Sequence, residues 1–174
     1  RRFDEFIHYA IAGARMAMED SGLKIDDKNA HRVGCVTGTG LGGLAMLEYY
    51  HDVLMNKGPG KVSPFFIPGM IANMASGQIA IEFGAKGPNL CIVTACAASC
   101  HSIGESFRLI REGKADAMIT GGSEAVVTPL ALGGFCAMRA ITTRNEDPEK
   151  ASRPFDLDRD GFVMAEGGGI LILE

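Results

Sequence analysis

Apolar positions along the chain alternate between two periods. Phe3, Phe6, Ile7, Ala10, Ile11, Ala14 and Met18 recur at the spacing of one helix face, and Gly22 stands where a helix C-cap belongs. Val33 to Thr37 predicts a short buried strand. A glycine-rich turn follows, and Gly42 to Met55 predicts a helix. Pro64-Phe65-Phe66-Ile67-Pro68 is bracketed by prolines and predicts a loop. Ile71 to Phe83 predicts a helix ended by Gly84, and Leu90 to Thr94 a strand. Ala97 to Glu112 predicts a helix stopped by Gly113. Asp116 to Thr120 predicts a strand that ends at Gly121-Gly122. Pro129 to Met138 predicts a short helix and Gly168 to Leu173 a last strand. Strands alternating with helices predict a layered α/β domain on a largely parallel sheet.

Composition narrows the function classes. The 174 residues suit one domain with a real core, and 47% hydrophobic with 22% charged residues is ordinary for a globular protein. The net charge of −4 argues against binding that relies on neutralising phosphates, so no nucleic acid is expected. No apolar run reaches the ~18 residues of a membrane span, so no membrane is expected either. The chain opens on Arg1-Arg2-Phe3 without a Met and stops on the strand-like run Ile170 to Glu174, as a piece of a longer protein would. Its five cysteines are odd in number, and Cys91, Cys96 and Cys100 share one segment. Free thiols in a reducing cytoplasm fit that usage better than a disulfide scaffold. With no CxxC pair and four histidines, no metal site is expected.

The informative stretch is Leu90-Cys91-Ile92-Val93-Thr94-Ala95-Cys96-Ala97-Ala98-Ser99. A buried strand runs straight into a helix of small residues, and Cys96 falls at the junction. A helix N-terminus offers partial positive charge and spare N–H groups, which favour thiolate over thiol. A sharp strand-to-helix turn lifts a side chain clear of the sheet, as in a nucleophile elbow. Small neighbours leave room for a substrate. Cys35, Cys91 and Cys136 carry no such signal and read as small apolar residues.

Val93-Thr94-Ala95-Cys96-Ala97-Ala98-Ser99, followed by His101-x-Ile103-Gly104, resembles the nucleophile segment of the β-ketoacyl-acyl carrier protein synthases, above all the type II elongation enzymes of bacterial fatty acid synthesis. The likeness continues through Phe65-Phe66-Ile67-Pro68, Gly87-Pro88-Asn89, Gly113-Lys114-Ala115-Asp116, Gly121-Gly122-Ser123-Glu124, Arg153-Pro154-Phe155-Asp156 and Arg159-Asp160-Gly161-Phe162-Val163. It covers nearly the whole chain. It implies a thiolase-like fold with a mixed, mostly parallel sheet, of which residues 1–174 form the nucleophile-bearing N-terminal half. It also implies a homodimeric bacterial cytoplasmic enzyme. Cys96 would take an acyl chain from acyl carrier protein, and malonyl-carrier protein would lose carbon dioxide and attack that thioester. No cofactor is expected, since the 4'-phosphopantetheine arm arrives on the carrier. Leu41, Phe66 and Phe135 match acyl-pocket positions of the family, and Lys61 and Arg139 match carrier-docking positions.

The sequence departs from the resembled family in one respect. The two catalytic histidines and the Gly-rich oxyanion loop of its second half are not here, so these 174 residues alone are not expected to condense anything. Of the four histidines present, His101 follows Cys96 by five residues, which turns it about 140° round the helix. It reads as a packing or helix-face hydrogen-bonding residue. The Cys96 N–H remains a candidate oxyanion donor. A polyketide ketosynthase is the nearest alternative. Coenzyme A-dependent thiolase-fold enzymes match the Thr94–Ala97 and Gly161–Val163 motifs less well, and non-catalytic partner subunits lack the nucleophile.

Two motifs suggest other chemistry. Gly38-x-Gly40-x-x-Gly43 fits the dinucleotide fingerprint, but the acidic residue that should follow about 20 residues later is missing. Asp156-x-Asp158-x-Asp160-Gly161 opens like a calcium loop, but its twelfth position is Gly167, with Glu166 one place early. A hydrogen-bonded turn joining Asp156, Arg159, Asp160 and Glu166 is the expected role.

Overall fold

The computed structural model describes residues 2–174; Arg1 lies outside the described residues. Four strands, β1 (Val33–Gly38), β2 (Asn89–Ile92), β3 (Ala117–Glu124) and β4 (Gly167–Leu173), form one sheet in the order β2-β1-β3-β4. β1 runs parallel to β2 and β3, pairing Val36 with Leu90 and with Thr120, while β4 returns antiparallel on β3, pairing Gly121 with Ile170. The expected mixed, mostly parallel sheet is therefore present. Every residue of β1 is buried, as a central parallel strand covered on both faces requires.

Alternation along the strands sorts two cores. On one face, α1 (Glu5–Ser21) and α4 (Met74–Phe83) bury Phe6, Ile7, Ala10, Ala14 and Ile79 against Cys35 and Ile119. On the other, α5 (Ala98–Arg111) brings Leu109 onto Val36 and Met118. Phe6, Ile7, Ile79, Met118 and Ile119 are fully buried, each contributing roughly 1.5–3 kcal/mol of apolar transfer. Gly22 and Gly84 close α1 and α4 in the left-handed conformation, at φ 68° and 72°.

Two boundaries differ from the sequence reading. The proline-bracketed segment is not a loop, because Phe66–Met70 forms a short helix, α3, against α2 (Leu44–Lys57). Pro68 lies in its first turn, where a missing N–H leaves no helical bond unmade. β3 does not stop at Thr120 but runs on to Glu124, and the ladder to β4 continues through Ser123–Gly168 and Glu124–Gly167. Gly121, at φ 145°, lies so close to the Gly169 carbonyl that a side chain there would overlap it. The glycine pair thus extends the strand rather than ending it. The last helix, α6 (Pro129–Ala137), starts with the Thr128 side chain accepting the Ala131 N–H at 3.2 Å.

The start of α5 lies very close to the sheet. Gly38 and Gly122 are cross-strand partners on β1 and β3. A side chain on Gly38 would overlap the Ala98 carbonyl, and one on Gly122 would come to 2.8 Å from the Ser99 Cβ. Ala98, Ser102 and Ser106 are buried small residues on α5 that let the helix lie this close. Gly38→Ala in the intact protein is therefore expected to lower the unfolding free energy by about 1–3 kcal/mol, as overpacking does. Gly60→Ala, where an added Cβ meets nothing within 4 Å, should stay within about 0.5 kcal/mol of wild type. Urea unfolding of the two variants checks this, and equal losses would remove the constraint.

Candidate active site

Between β2 and α5 the chain reverses within a few residues. Thr94 is semi-extended (φ −133°, ψ 44°), Ala95 is left-handed at φ 52°, and Ala95–Ala97 forms a single 3-10 turn that leads into α5. A left-handed alanine costs about 1–2 kcal/mol. Neighbouring bonds hold it there. The Ala97 N–H donates to the Thr94 carbonyl at 3.2 Å, and the Thr39 N–H to the Ile92 carbonyl at 3.2 Å. His101 Nδ1 lies 2.8 Å from Thr94 Oγ1, so this histidine fastens the turn to the helix and is a helix-face hydrogen-bonding residue as read. The reversal leaves Cys96 exposed at the start of α5. The other strand-borne thiols sit differently. Burial, with a smaller push from Cys91, raises the Cys35 thiol to about 12, and burial also pushes Cys91 up. Cys100 and Cys136 are exposed.

Cys96 opens into a cavity of about 660 Å³ with mainly apolar walls. Leu41 and Phe135 line it too, so the structure brings three of the sequence-picked residues together. Phe162, another wall, stacks edge-on against Phe135 with ring centroids 5.2 Å apart. Phe66 is not part of this cavity. Its ring packs against Tyr50 at 5.0 Å, because α3 lies on α2 rather than beside α5. Lys61 is exposed at the end of a 3-10 turn, Pro59–Lys61. Arg139 is exposed just after α6, at φ 55°, and lines a second hollow of about 500 Å³ with Arg153 and Arg159. Phe162 forms a wall of both hollows.

Sequence reasoning passed over Glu124, which was read only as the end of a motif. Its carboxylate accepts the Gly40 N–H in a short bond, the Leu41 N–H at 3.0 Å and the Gly42 N–H at 3.3 Å, and Thr39 Oγ1 donates to it at 2.9 Å. Successive backbone N–H groups form an anion-holding concavity, and here the anion is the protein's own. The dinucleotide-like glycines thus have another use. Gly38 admits α5, a Cβ on Gly40 would come to 2.6 Å from the Glu124 carboxylate, and Gly42 adopts φ 71°. The available signal was a glycine-rich loop after β1 with an acid ending β3, the strand beside it.

The acidic run also resolves differently from its expected turn. Asp156 does form a local turn: its Oδ1 accepts the Asp158 N–H at 2.8 Å and its carbonyl accepts the Arg159 guanidinium at 2.7 Å. Asp160 and Glu166 do not join it. The Thr142 hydroxyl, then the Thr143 N–H, with Arg144 beside them, hold the Asp160 carboxyl down to about 2. Glu166 accepts the Val127 N–H at 2.8 Å. These carboxylates face apart because each ties a different piece of backbone. Among the described residues no group of three His, Cys, Asp or Glu side chains is placed to hold a metal ion, and no helix is long and apolar enough to cross a membrane.

The family model for the N-terminal domain of beta-ketoacyl synthases matches residues 1–174. The chain is 56% identical over 174 residues to 3-oxoacyl-[acyl-carrier-protein] synthase 2 of Synechocystis, and 53% identical to the Coxiella burnetii protein of that name. It is covered in full in each case but spans only 42% of these relatives' length. Among solved structures, a beta-ketoacyl synthase from Burkholderia phymatum superposes with TM-score 0.90 at 27% identity, covering 99% of this chain and 42% of that one. A ketosynthase in complex with its type II PKS acyl-carrier protein superposes with TM-score 0.87 at 33% identity, covering 100% of this chain and 44% of that one. The layered sheet is thus that of the thiolase-like ketosynthases, and the chain belongs to the beta-ketoacyl synthase family, whose N-terminal domain it matches from end to end.

Proposed function

We propose that this chain is the nucleophile-bearing part of a 3-oxoacyl-[acyl-carrier-protein] synthase. The observation that carries the reading is Cys96, exposed at a strand-to-helix reversal and facing an apolar cavity walled by Leu41 and Phe135. In the first half-reaction the Cys96 sulfur attacks the carbonyl carbon of an acyl-carrier thioester. The carrier thiolate leaves and the acyl chain remains on Cys96. In the second, malonyl-carrier protein releases carbon dioxide, and the electron pair left on its α-carbon attacks the acyl-Cys96 carbonyl. The Cys96 thiolate is expelled, and the carrier holds a 3-oxoacyl chain two carbons longer. The Cys96 N–H, at the head of α5, is the donor this chain offers to the thioester oxyanion. The histidines that the family uses for decarboxylation, and its Gly-rich loop, come from sequence outside these 174 residues.

The cavity fits the substrate class. An apolar chamber of about 660 Å³ accepts a hydrocarbon tail, with each buried methylene contributing about 0.8 kcal/mol. The 4'-phosphopantetheine arm comes on the carrier, and no separate cofactor is called for. The intact enzyme in this reading is a homodimer of the bacterial cytoplasm, with acyl carrier protein as its partner. A polyketide ketosynthase is the second reading, favoured by the structural likeness to a ketosynthase described as bound to a hexaketide. The 56% and 53% identities to 3-oxoacyl-[acyl-carrier-protein] synthases favour the first. Retention of Cys96 argues against a non-catalytic partner subunit.

Three measurements on the intact enzyme test this. Limiting iodoacetamide followed by adduct mapping should label Cys96 ahead of every other thiol, and Cys35 last, since Cys35 is buried and its thiol is raised to about 12. Preferential labelling of any other cysteine would sink the assignment. Leu41→Phe should fill the cavity mouth and shift preference toward short acyl donors. At ~0.8 kcal/mol per methylene, each methylene refused lowers kcat/KM by about fourfold relative to wild type. An unchanged length profile would return Leu41 to plain packing. Lys61→Glu with Arg139→Glu should raise KM for carrier-bound donors, most at low salt, because each exposed ion pair contributes only about 0.2–1 kcal/mol. Small thioester donors should be turned over normally, and equal loss with both donors would end the docking role.

A further inference from the structure

We infer that Glu124 is a positioning residue that sets the acyl-length selectivity of the Cys96 cavity by holding the Leu41 loop. The inference rests on the acyl-loading function proposed for Cys96, and extends it to a charged residue of the cavity wall that takes no part in the chemistry of that scheme.

The loop Thr39–Gly42 connects β1 to the glycine before α2 and carries Leu41 into the cavity wall. Thr39 at its start is buried and donates its N–H to the Ile92 carbonyl, and Gly42 at its end is buried, but Leu41 between them is less closely packed. Gly40 and Gly42 offer no side chains to pack, Gly42 is left-handed, and Leu41 is 55% exposed, so apolar packing does not fix its position. Electrostatics does. Three consecutive N–H groups, from Gly40, Leu41 and Gly42, converge on one partly buried carboxylate, and the Thr39 hydroxyl adds a fourth donor. Bonds from N–H groups to an ionised acceptor are about twice as strong as neutral ones. The Thr39 hydroxyl also accepts the Gly42 N–H at 3.2 Å, which closes the loop on itself. Glu124 ends β3, whose ladder with β1 pairs Gly122 with Gly38, so the carboxylate is referenced to the same strands on which α5 and Cys96 rest. Leu41 and Cys96 are thereby held in one frame. The position of the Leu41 wall relative to the thiol is then tied to the Glu124 side chain.

The Glu124→Gln substitution keeps the shape of the side chain and removes its charge. The amide that results carries one acceptor oxygen and places N–H groups against N–H groups. Glu124→Gln should therefore release the loop, while Glu124→Asp, which keeps the charge on a shorter arm, should restore part of the order. Both variants are made in the intact enzyme. Amide hydrogen exchange of Gly40, Leu41 and Gly42 should accelerate by about tenfold or more in Glu124→Gln, the scale expected when bonds to a charged acceptor are lost. The ratio of kcat/KM between long and short acyl donors should move at least about fivefold toward indifference, with Glu124→Asp intermediate on both readouts. The rate at which iodoacetamide alkylates Cys96 should change by less than about twofold, since the thiol keeps its own surroundings. Exchange at wild-type rates would overturn the inference. So would faster exchange with an unchanged length profile, or a uniform loss for all donors together with slowed alkylation, which is what a purely structural role gives. If the wild-type enzyme does not acylate Cys96, the proposed function fails and takes the inference with it. With acylation intact and selectivity unmoved, this inference alone falls.

Discussion

The close contact between the first turn of α5 and the sheet governs the rest of the site. Gly38 and Gly122 sit side by side in register, and neither has room for a side chain. With two glycines below and Ala98, Ser102 and Ser106 above, the helix lies almost on the backbone of β1 and β3. A helix that close cannot be entered from β2 by a relaxed loop. The chain must reverse between Ile92 and Ala98, and the left-handed Ala95 is where that reversal is concentrated. Strain of this kind persists only when its surroundings over-determine it. Here the β1–β3 ladder, the Ile92–Thr39 bond and the Thr94–His101 contact do so. Cys96 is exposed because the residue before it has nowhere else to go.

This explains which parts of the fold and site the sequence made legible. Helix periods, glycine caps and the alternation of strand with helix are local signals, and they located all four strands and the long helices to within a few residues. Cys96 was legible because its signal is also local, a strand running into small residues. Phe66 shows where local signals stop. A tunnel wall and an ordinary core are both apolar, and nothing in Phe65-Phe66-Ile67 says that the ring turns toward Tyr50 and not toward the thiol. Glu124 shows the opposite failure. Its partners are more than 80 residues away in sequence, and their donors are backbone N–H groups that every residue type but proline carries. The glycines of that loop advertise an anion, but not that the anion is a side chain of the same chain. The double glycine of β3 misled for the same reason. In isolation it signals a turn, whereas beside Gly169 it is the only residue type that lets the ladder continue.

One construction recurs around the cavity. The walls are mainly apolar, and several N–H groups on the loops that carry them lie outside the strand and helix ladders. In each case a carboxylate from a distant element takes those donors. Glu124 holds the Leu41 loop, Glu166 holds Val127, and Glu48 holds Leu130 at 3.2 Å near the start of α6, the helix that carries Phe135. Asp160 fastens Thr142 and Thr143 next to the Phe162 segment in the same way. A bond to an ionised acceptor is stronger than a neutral one, so each tie also favours one loop position. The cavity is then mainly apolar, while carboxylates at and behind its walls, Glu124 among them, hold its shape. Substitutions in the lining change what fits. Substitutions in the ties change whether the lining has a fixed shape at all, and the two classes separate the packing of the cavity wall from the backbone order that holds it in place.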